Sequence, residues 1–501
     1  MFFKPKDQLM GDTWQYSDGN TVHTFFLQWR ELDDMNDAES GSVGHIVSDD
    51  MINWRQLPHA LVKGEEGSYD DIDLWTGSCI EKDGKAYLFY TSRTHTDPSA
   101  NYISLAISED KVNFTKYEGN PIITPDIKYY CSLEKRTPLA VHGSTDFDIL
   151  DCRDLQVIYV PEEETYYGYI AMRRHSDECS DTSVIALLKS RDLINWEQYP
   201  PCFTPDKYHC IETPDVFKMG DKWYMLCLTG NHYGQRNPTG DPNMTGCLTI
   251  YAVADSPAGP FREPENNVLL GSSQLSGICA KTVLHKGKRY LFYTQSNTDG
   301  QSDERTLAYP KEVVSDENGR LKLLWCDGID KLFSAPEAVF TRENAIINTG
   351  KWGSVASVTF DDGAITISPQ NDWAILPFNV TADEFILDAD ICTDGCRGAG
   401  IAYGIDGDNA FSSNRLVLLD YEGNEVWFTK LRNFAKFNGR RVPLNGRHKL
   451  RLLIVGSAVE VYLDGVLVLH HQENRKTGKL ALFAERGSVT FDAVSLRTKE
   501  K

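Results

Sequence analysis

The most regular pattern along the chain is a short polar turn followed by a run of aromatic and β-branched residues. It recurs five times before about residue 300, at residues 18–28, 83–90, 163–169, 220–226 and 286–293. Turn residues set between such runs are typical of β-hairpins. We therefore predict one hairpin at each of the five positions.

A second repeat follows most of these hairpins, one strand later. Residues 48–54, 108–114 and 190–196 share a serine, an aspartate and an aromatic residue, and residues 254–261 are a degenerate fourth copy. The serine and aspartate suit a turn whose side chains bond the backbone, and the aromatic ring can fill the gap between sheets. Five such units, spaced by roughly 60–80 residues, predict a five-bladed β-propeller.

The repeat stops near residue 334, and the last third of the chain has a different pattern. Short apolar runs separated by turn residues recur there, for example at 364–367, 416–419, 450–454 and 459–463. This pattern favours a β-sandwich. The predicted fold is all-β, with a propeller at residues 1–334 followed by a sandwich at residues 335–501.

Length and charge narrow the class of protein. A chain of 501 residues is long enough for two domains, each with its own core. The 51 basic and 72 acidic side chains give a net charge of −21, which argues against nucleic acid or an anionic membrane as partner. A neutral substrate, such as an oligosaccharide or disaccharide, fits this charge better.

The compartment is inferred from the amino terminus and the cysteines. Residues 1–7 lack the apolar segment of a signal peptide, and no apolar run is long enough to span a bilayer. The 12 cysteines lack the paired spacing of a zinc site, so we expect mostly buried thiols in a reducing compartment. The sequence therefore predicts a cytoplasmic protein.

Three acidic residues occupy comparable places in the repeat. Asp12 precedes the first hairpin, Asp154 the third and Glu212 the fourth. The innermost strand of every propeller blade lines one central channel, so side chains at equivalent positions converge. Cleavage of a glycosidic bond needs an acid and a nucleophile or base that face one bond. The pattern predicts a sugar-cleaving enzyme that uses neither a metal nor a cofactor.

The roles of the three acids follow from their expected surroundings. A carboxyl group that protonates a leaving oxygen must stay protonated near neutral pH, and burial beside other carboxylates favours this state. We therefore assign Glu212 as general acid and base, Asp12 as nucleophile and Asp154 as an ionised residue that binds the sugar. Arg153 is expected to hold Asp154 or to bind a sugar hydroxyl.

Other acidic residues are given structural roles. Asp215 follows Glu212 closely and is assigned to a turn. The acidic run at residues 70–73 lacks the glycine and glutamate spacing of a calcium-binding loop. We expect its carboxylates to be solvated charges and not metal ligands.

Four stretches resemble blocks of glycoside hydrolase family 32, the β-fructosidases. They are residues 9–12 with 25–28, residues 44–61, residues 75–78, and the pair 153–154 with 212–215. The resemblance covers the amino-terminal two thirds, and it implies a propeller joined to a β-sandwich. It also implies that Gln28, Trp75 and Thr76 bind the fructosyl unit. Gly11 and Val43 depart from the family pattern, which favours a variant β-linked substrate.

The function that this resemblance implies is a retaining, exo-acting β-fructosidase acting on a short fructan or a sucrose-like sugar. One alternative is an inverting arabinofuranosidase or xylosidase like those of family 43, which also use two aspartates and one glutamate. Another alternative is a propeller that binds carbohydrate without catalysis. The separation of the reacting carboxyl groups distinguishes retention from inversion.

Overall fold

The computed structural model describes residues 3–6, 8–30, 41–131, 151–175, 183–208, 210–230, 246–271, 277–295, 305–347, 356–405, 415–430, 435–473 and 477–500. Almost all regular structure in these ranges is β-strand. Short 3-10 helices lie at Pro161–Glu163 and Asp327–Leu332. The predicted all-β fold is confirmed.

The first half of the chain forms four-stranded antiparallel sheets, each with its strands in chain order. The first sheet holds β1 (Gln8–Ser17), β2 (Val22–Arg30), β3 (Ser42–Ser48) and β4 (Arg55–Gln56). The second holds β5 (Asp73–Lys82), β6 (Lys85–Thr94), β7 (Asp97–Ser108) and β8 (Thr115–Lys116). The third holds β9 (Cys152–Val160), β10 (Thr165–Arg173), β11 (Ser183–Ser190) and β12 (Glu197–Phe203). The fourth holds β13 (Glu212–Met219), β14 (Lys222–Gly230), β15 (Cys247–Ala254) and β16 (Val268–Gly271).

A fifth unit completes the series. It consists of β17 (Gly277–His285), β18 (Lys288–Gln295), β19 (Thr306–Leu307), β20 (Lys311–Ser315) and β21 (Leu321–Leu324). The first strands of the units contact one another in the order β1, β5, β9, β13 and β17, and β17 contacts β1. This closed ring of innermost strands is the arrangement expected of a propeller. Each of the five predicted hairpins is present.

The second sequence repeat forms the predicted turn. In its first copy the Asp50 carboxylate accepts the backbone N–H groups of Ile52 and Asn53 at 2.9 and 2.8 Å, and the bonds recur in the copies at Asp110 and Asp192. The aromatic ring of each copy packs edge-on against a neighbouring sheet: Trp54 on Phe292, Phe114 on Phe25 and Trp196 on Phe89, with centroids 5.8, 5.6 and 5.9 Å apart. These rings fill the gaps between sheets, as predicted.

The last third of the chain forms the predicted β-sandwich. One sheet contains β24 (Trp373–Ala382), β26 (Gly398–Ile405), β27 (Arg415–Asp420), β28 (Glu425–Lys430), β29 (Ala435–Arg441) and β33 (Gly478–Glu485). The facing strands are β22 (Ala356–Asp361), β23 (Ala364–Pro369), β25 (Phe385–Thr393), β30 (Arg447–Val455), β31 (Ala458–Leu463), β32 (Val466–Gln472) and β34 (Val489–Thr498). Buried side chains of both sheets, including Leu387, Leu452, Phe491, Ile401 and Leu482, form one core.

The propeller and the sandwich are not two separately closed domains, because one sheet runs through both. Leu324 of β21 pairs with Val466 of β32, so the fifth unit and one sandwich sheet share a continuous hydrogen-bonded sheet. The outer strand of the fifth unit is therefore paired with the sandwich, and this sheet edge is not left open to pair with other chains. The boundary between residues 334 and 335 stays a prediction, since the passage from β21 to β22 spans it.

Candidate active site

A β-bulge interrupts each of the five innermost strands at the same register. The two residues that stand opposite a single partner residue in each bulge are 11–12, 76–77, 154–155, 213–214 and 279–280. Asp154, Thr213 and Cys279 take positive φ angles of 64°, 50° and 48° there. Bulges change the direction in which a strand presents its side chains and are frequent beside active sites. Asp12 is the second residue of its bulge, Asp154 is the first of its own, and Glu212 directly precedes one, so each acid lies within one residue of the first bulge position.

Asp12 is held by the second sheet. The Thr76 hydroxyl donates a hydrogen bond of 2.6 Å to Asp12 Oδ2. The next residue must be small, because a Cβ on Gly77 would lie 1.9 Å from the Phe89 carbonyl oxygen. Burial raises the pKa of Asp12, while the Thr76 hydrogen bond and the charges of Lys281, Arg153 and Arg305 lower it.

Asp154 connects the third sheet to its neighbours. Its Oδ2 accepts the backbone N–H of Thr213 at 3.0 Å. Its own N–H donates to Thr91 Oγ1 at 3.0 Å, and the Thr91 hydroxyl donates to the Thr76 carbonyl oxygen at 2.9 Å. These bonds link Asp154 to the bulge residue that holds Asp12. The carboxylate is therefore fixed between the second and fourth sheets.

Arg153 lies between two of the three acids. Its Nη2 donates to Glu212 Oε2 at 2.9 Å, and its Nε lies 3.5 Å from Asp154 Oδ2. The Glu212 side chain is 13% exposed. The guanidinium therefore joins the third and fourth sheets at the site. Its contact with Asp154 is one of the two contacts expected from the sequence.

Burial and neighbouring charges give Glu212 and Asp154 different pKa values. Burial raises the pKa of Glu212 to about 8; the Arg153 charge opposes this, and the negative charges of Asp154 and Asp12 add to it. Burial also raises the pKa of Asp154 to about 6, against the Arg153 charge and with that of Asp12. Glu212 therefore keeps its proton to a higher pH than Asp154 does. Hydrogen bonds and an ion pair through Arg153, Thr76 and Thr91 connect the three acidic residues.

Arg153 is held by Asp151, which in turn pairs with Arg173. Neither Asp151 nor Arg173 was identified from the sequence. The Asp151 carboxylate accepts a hydrogen bond from Arg153, and Arg173 Nε lies 2.6 Å from Asp151 Oδ2 in an ion pair. The Asp151 side chain is 3% exposed. The signal in the sequence was an acid two residues before Arg153, which places both side chains on the same face of an extended chain.

Asp215 was wrongly assigned to a turn. It lies within β13, just after the bulge, and is buried. Its Oδ2 accepts the backbone N–H and the hydroxyl of Thr282 at 2.9 and 2.6 Å. This carboxylate therefore joins β13 of the fourth unit to β17 of the fifth.

The sugar-binding residues implied by the family resemblance occupy different surroundings. Thr76 contacts Asp12 directly. Gln28 is buried, hydrogen-bonds His59 and pairs across the sheet with Met10, two residues before Asp12. Trp75 is half-buried, and the Arg93 guanidinium lies 4.3 Å from its ring centroid. The sugar contacts of these side chains stay predictions.

The acidic run at residues 70–73 is not solvated, contrary to the expectation. Asp70, Asp71 and Asp73 are 1%, 5% and 8% exposed. Lys116 Nζ lies 2.6 Å from Asp70, the His95 N–H donates to Asp71 at 2.8 Å, and Arg93 lies 3.2 Å from Asp73. Each carboxylate is buried because it has its own donor. Among the residues described, no group of three or more His, Cys, Asp or Glu side chains is arranged to hold a metal ion.

The cysteines agree with the sequence prediction where they are described. Eleven are free, and nine of these are buried. Cys179 lies outside the described residues. In the part of the chain that the structure covers, no helix has the length and apolar character needed to cross a membrane.

The chain is similar in sequence to known proteins. The sequence model of the "Glycosyl hydrolases family 32 N-terminal domain" matches residues 2–254. The sucrose-6-phosphate hydrolase of Escherichia coli is 24% identical over 464 residues, which are 89% of this chain and 83% of that protein.

Solved structures are similar over the whole length. A Bombyx mori GH32 β-fructofuranosidase has a TM-score of 0.69 at 19% identity, covering 100% of this chain and 93% of that one. The sucrose-6-phosphate hydrolase of Lactobacillus gasseri has a TM-score of 0.72 at 15% identity, covering 100% and 92%. The likeness in these structures is one of fold, a propeller followed by a β-sandwich.

Proposed function

The chain belongs to glycoside hydrolase family 32 and is a β-fructosidase-type glycoside hydrolase, and from this premise we propose that it is a retaining, exo-acting enzyme. Its proposed substrate is a short fructan or a sucrose-like sugar, from which it releases one β-linked fructosyl unit. The observation that carries the proposal is the cluster of Asp12, Asp154 and Glu212, drawn from three sheets and joined through Arg153 and Thr76.

In the first proposed step, Asp12 attacks the anomeric carbon of the fructosyl unit while Glu212 gives its proton to the leaving oxygen. The bond to the leaving group breaks and an ester to Asp12 forms. In the second step, Glu212 takes a proton from water, the water oxygen attacks the same carbon, and the ester breaks. Asp154 stabilises the positive charge that develops on the sugar. The raised pKa of Glu212 supports its part as proton donor.

The stereochemistry of the first product tests this proposal. We expect proton NMR, recorded before mutarotation, to show that the released sugar keeps the β configuration. The screen should include β-fructosides, α-arabinosides and β-xylosides. Inversion on an arabinoside or xyloside would support the family 43-like alternative, and absence of turnover with retained sugar binding would support a non-catalytic propeller. From a longer fructan, release of fructose as the only short product is expected for exo-action.

We expect the pH profile of kcat/KM to have an acidic limb and an alkaline limb, with activity falling on each side of an optimum. Glu212 must carry a proton in the first step, and its pKa is raised to about 8, so activity falls as pH rises through about 8. Asp12 must be ionised, and burial raises its pKa above its ordinary value, so activity falls again in acid. Because the acids interact, the measured values belong to the cluster as a whole. An alkaline limb below pH 6, in enzyme shown by circular dichroism to be folded, would contradict the role of Glu212.

A cytoplasmic location is also proposed. The eleven free cysteines of the described residues support a reducing compartment. Fractionation of source cells, with the protein found outside the cytoplasmic fraction, would overturn this assignment.

A further inference from the structure

The fifth unit contributes a cation, whereas the first, third and fourth units contribute acids at or beside their bulges. Its innermost strand β17 has the same bulge, at residues 279–280, but contributes no carboxyl group there. The residue after this bulge is Lys281, which is 2% exposed. Burying an ammonium group is costly unless it is hydrogen-bonded and faces opposite charge. The surroundings of Lys281 supply both.

The amine of Lys281 bonds two other bulges. It donates to the carbonyl oxygens of Gly77 and Pro214, each at 3.2 Å. Gly77 follows Thr76, the donor to Asp12, and Pro214 lies two residues after Glu212. One side chain therefore ties together the backbone segments that carry Thr76 and Glu212.

The charges of Lys281 and Arg153 both lower the pKa of Asp12 and of Asp154, but the two cations differ in their hydrogen-bond partners. Among the cations that lower the pKa of Asp12, Lys281 has the largest effect, ahead of Arg153 and Arg305. Arg153 is the cation that hydrogen-bonds Glu212 and lowers its pKa. Lys281 also faces Asp154 from β9 and Asp215 from β13. Lys281 therefore bonds backbone carbonyl oxygens of the second and fourth sheets, while Arg153 bonds the carboxylate of Glu212 directly.

We propose that Lys281 is a positioning residue of this active site, which fixes two bulges through their carbonyl oxygens and places its positive charge beside the segment that holds Asp12. This inference rests on the proposed retaining mechanism, in which Asp12 is the nucleophile. It extends the site to the fifth unit, whose innermost strand lacks an acid at the bulge. Lys281 acts through Asp12, Thr76 and Glu212 and does not itself react.

The test compares Lys281→Met, which removes the charge at similar length, with Lys281→Arg, which keeps it. For Lys281→Met we expect kcat to fall by about 100-fold, because the bulges lose their tie. We also expect the acidic limb of kcat/KM to move up by about one to two pH units, because Asp12 loses its main cation. The alkaline limb should move less, since Arg153 is retained. Lys281→Arg should keep the wild-type acidic limb.

A second buried lysine provides the matched control. Lys311 is also fully buried, but it pairs with Glu460 of the sandwich and not with the acid cluster. Lys311→Met should lower the melting temperature without moving the acidic limb. If Lys281→Met does not fold, Lys281→Gln removes the same charge while retaining one amide donor for a bulge carbonyl.

The outcomes separate this inference from the proposed function. An acidic limb that is unchanged in Lys281→Met or Lys281→Gln, in an enzyme that retains configuration and is inactivated by Asp12→Asn, overturns only the role of Lys281. An inverting wild-type enzyme, or an active Asp12→Asn variant, overturns the mechanism itself. A shift of the limb equal in Lys281→Met and Lys311→Met would show a general loss of structure and also overturn the inference.

Discussion

Replacing Asp12 by asparagine is expected to abolish hydrolysis. The amide has nearly the shape of the carboxylate and can still accept the Thr76 hydrogen bond, so the fold should be kept. It cannot form the covalent intermediate. Loss of a nucleophile that acts together with an acid and base removes most of the catalysis, and we expect kcat to fall by at least about 10⁴-fold.

Steady-state kinetics on a β-fructoside cleaved by the wild type measure this effect. Asp18→Asn is a matched control in the same β1–β2 hairpin, where Asp18 accepts the backbone N–H groups of Asn20 and Thr21 in the turn. We expect its activity to stay close to that of the wild type. If Asp12→Asn kept more than about 1% of wild-type kcat, the loss of activity would be far smaller than that expected for a nucleophile. Asp12 would then not be the nucleophile.

The second large effect is expected from Glu460→Gln, at the junction of propeller and sandwich. Glu460 and Lys311 are both fully buried and lie 2.6 Å apart. The hydroxyls of Tyr293 and Tyr462 also donate to the Glu460 carboxylate, at 2.8 and 2.6 Å. The variant leaves the Lys311 ammonium buried without an opposite charge. Breaking such a pair typically costs about 3–5 kcal/mol of the free energy of unfolding.

Chemical denaturation of the single and double variants tests this expectation. Lys311→Met combined with Glu460→Gln should be more stable than Glu460→Gln alone, because the double variant buries no charge at this place. The acidic limb of kcat/KM should be unchanged in both. A free energy of unfolding for Glu460→Gln within about 0.5 kcal/mol of the wild type, which is the effect of an ordinary surface substitution, would mean that the pair does not hold the junction.

Several features were predictable because their signals are local. The five hairpins follow from turn residues between aromatic runs, and the repeat around Asp50 follows from side chains that bond their own turn. Asp12, Asp154 and Glu212 also lie at or beside the bulges of their strands, at three successive register positions. They lie so near because a repeated strand keeps its register in each unit, so its bulge falls at the same place.

Other features depend on contacts between distant parts of the chain and were missed or wrongly assigned. The carboxylates of Asp70 and Asp71 resemble solvated charges until Lys116 and His95 are brought to them. Asp215 resembles a turn residue until its hydrogen bonds to Thr282 are seen. In each case the partner lies more than twenty residues away and has no spacing signal.

The sequence by itself determined the strand units, the all-β fold and the identity of three acids, because turn chemistry and alternating apolar residues act over a few residues. Only the tertiary structure decided which charges are buried, which groups Arg153 and Lys281 bond, and how the fifth unit joins the sandwich. Burial and electrostatic pairing depend on distance in space, and closure of the ring brings together residues such as Gly11 and Thr294, which lie 283 positions apart.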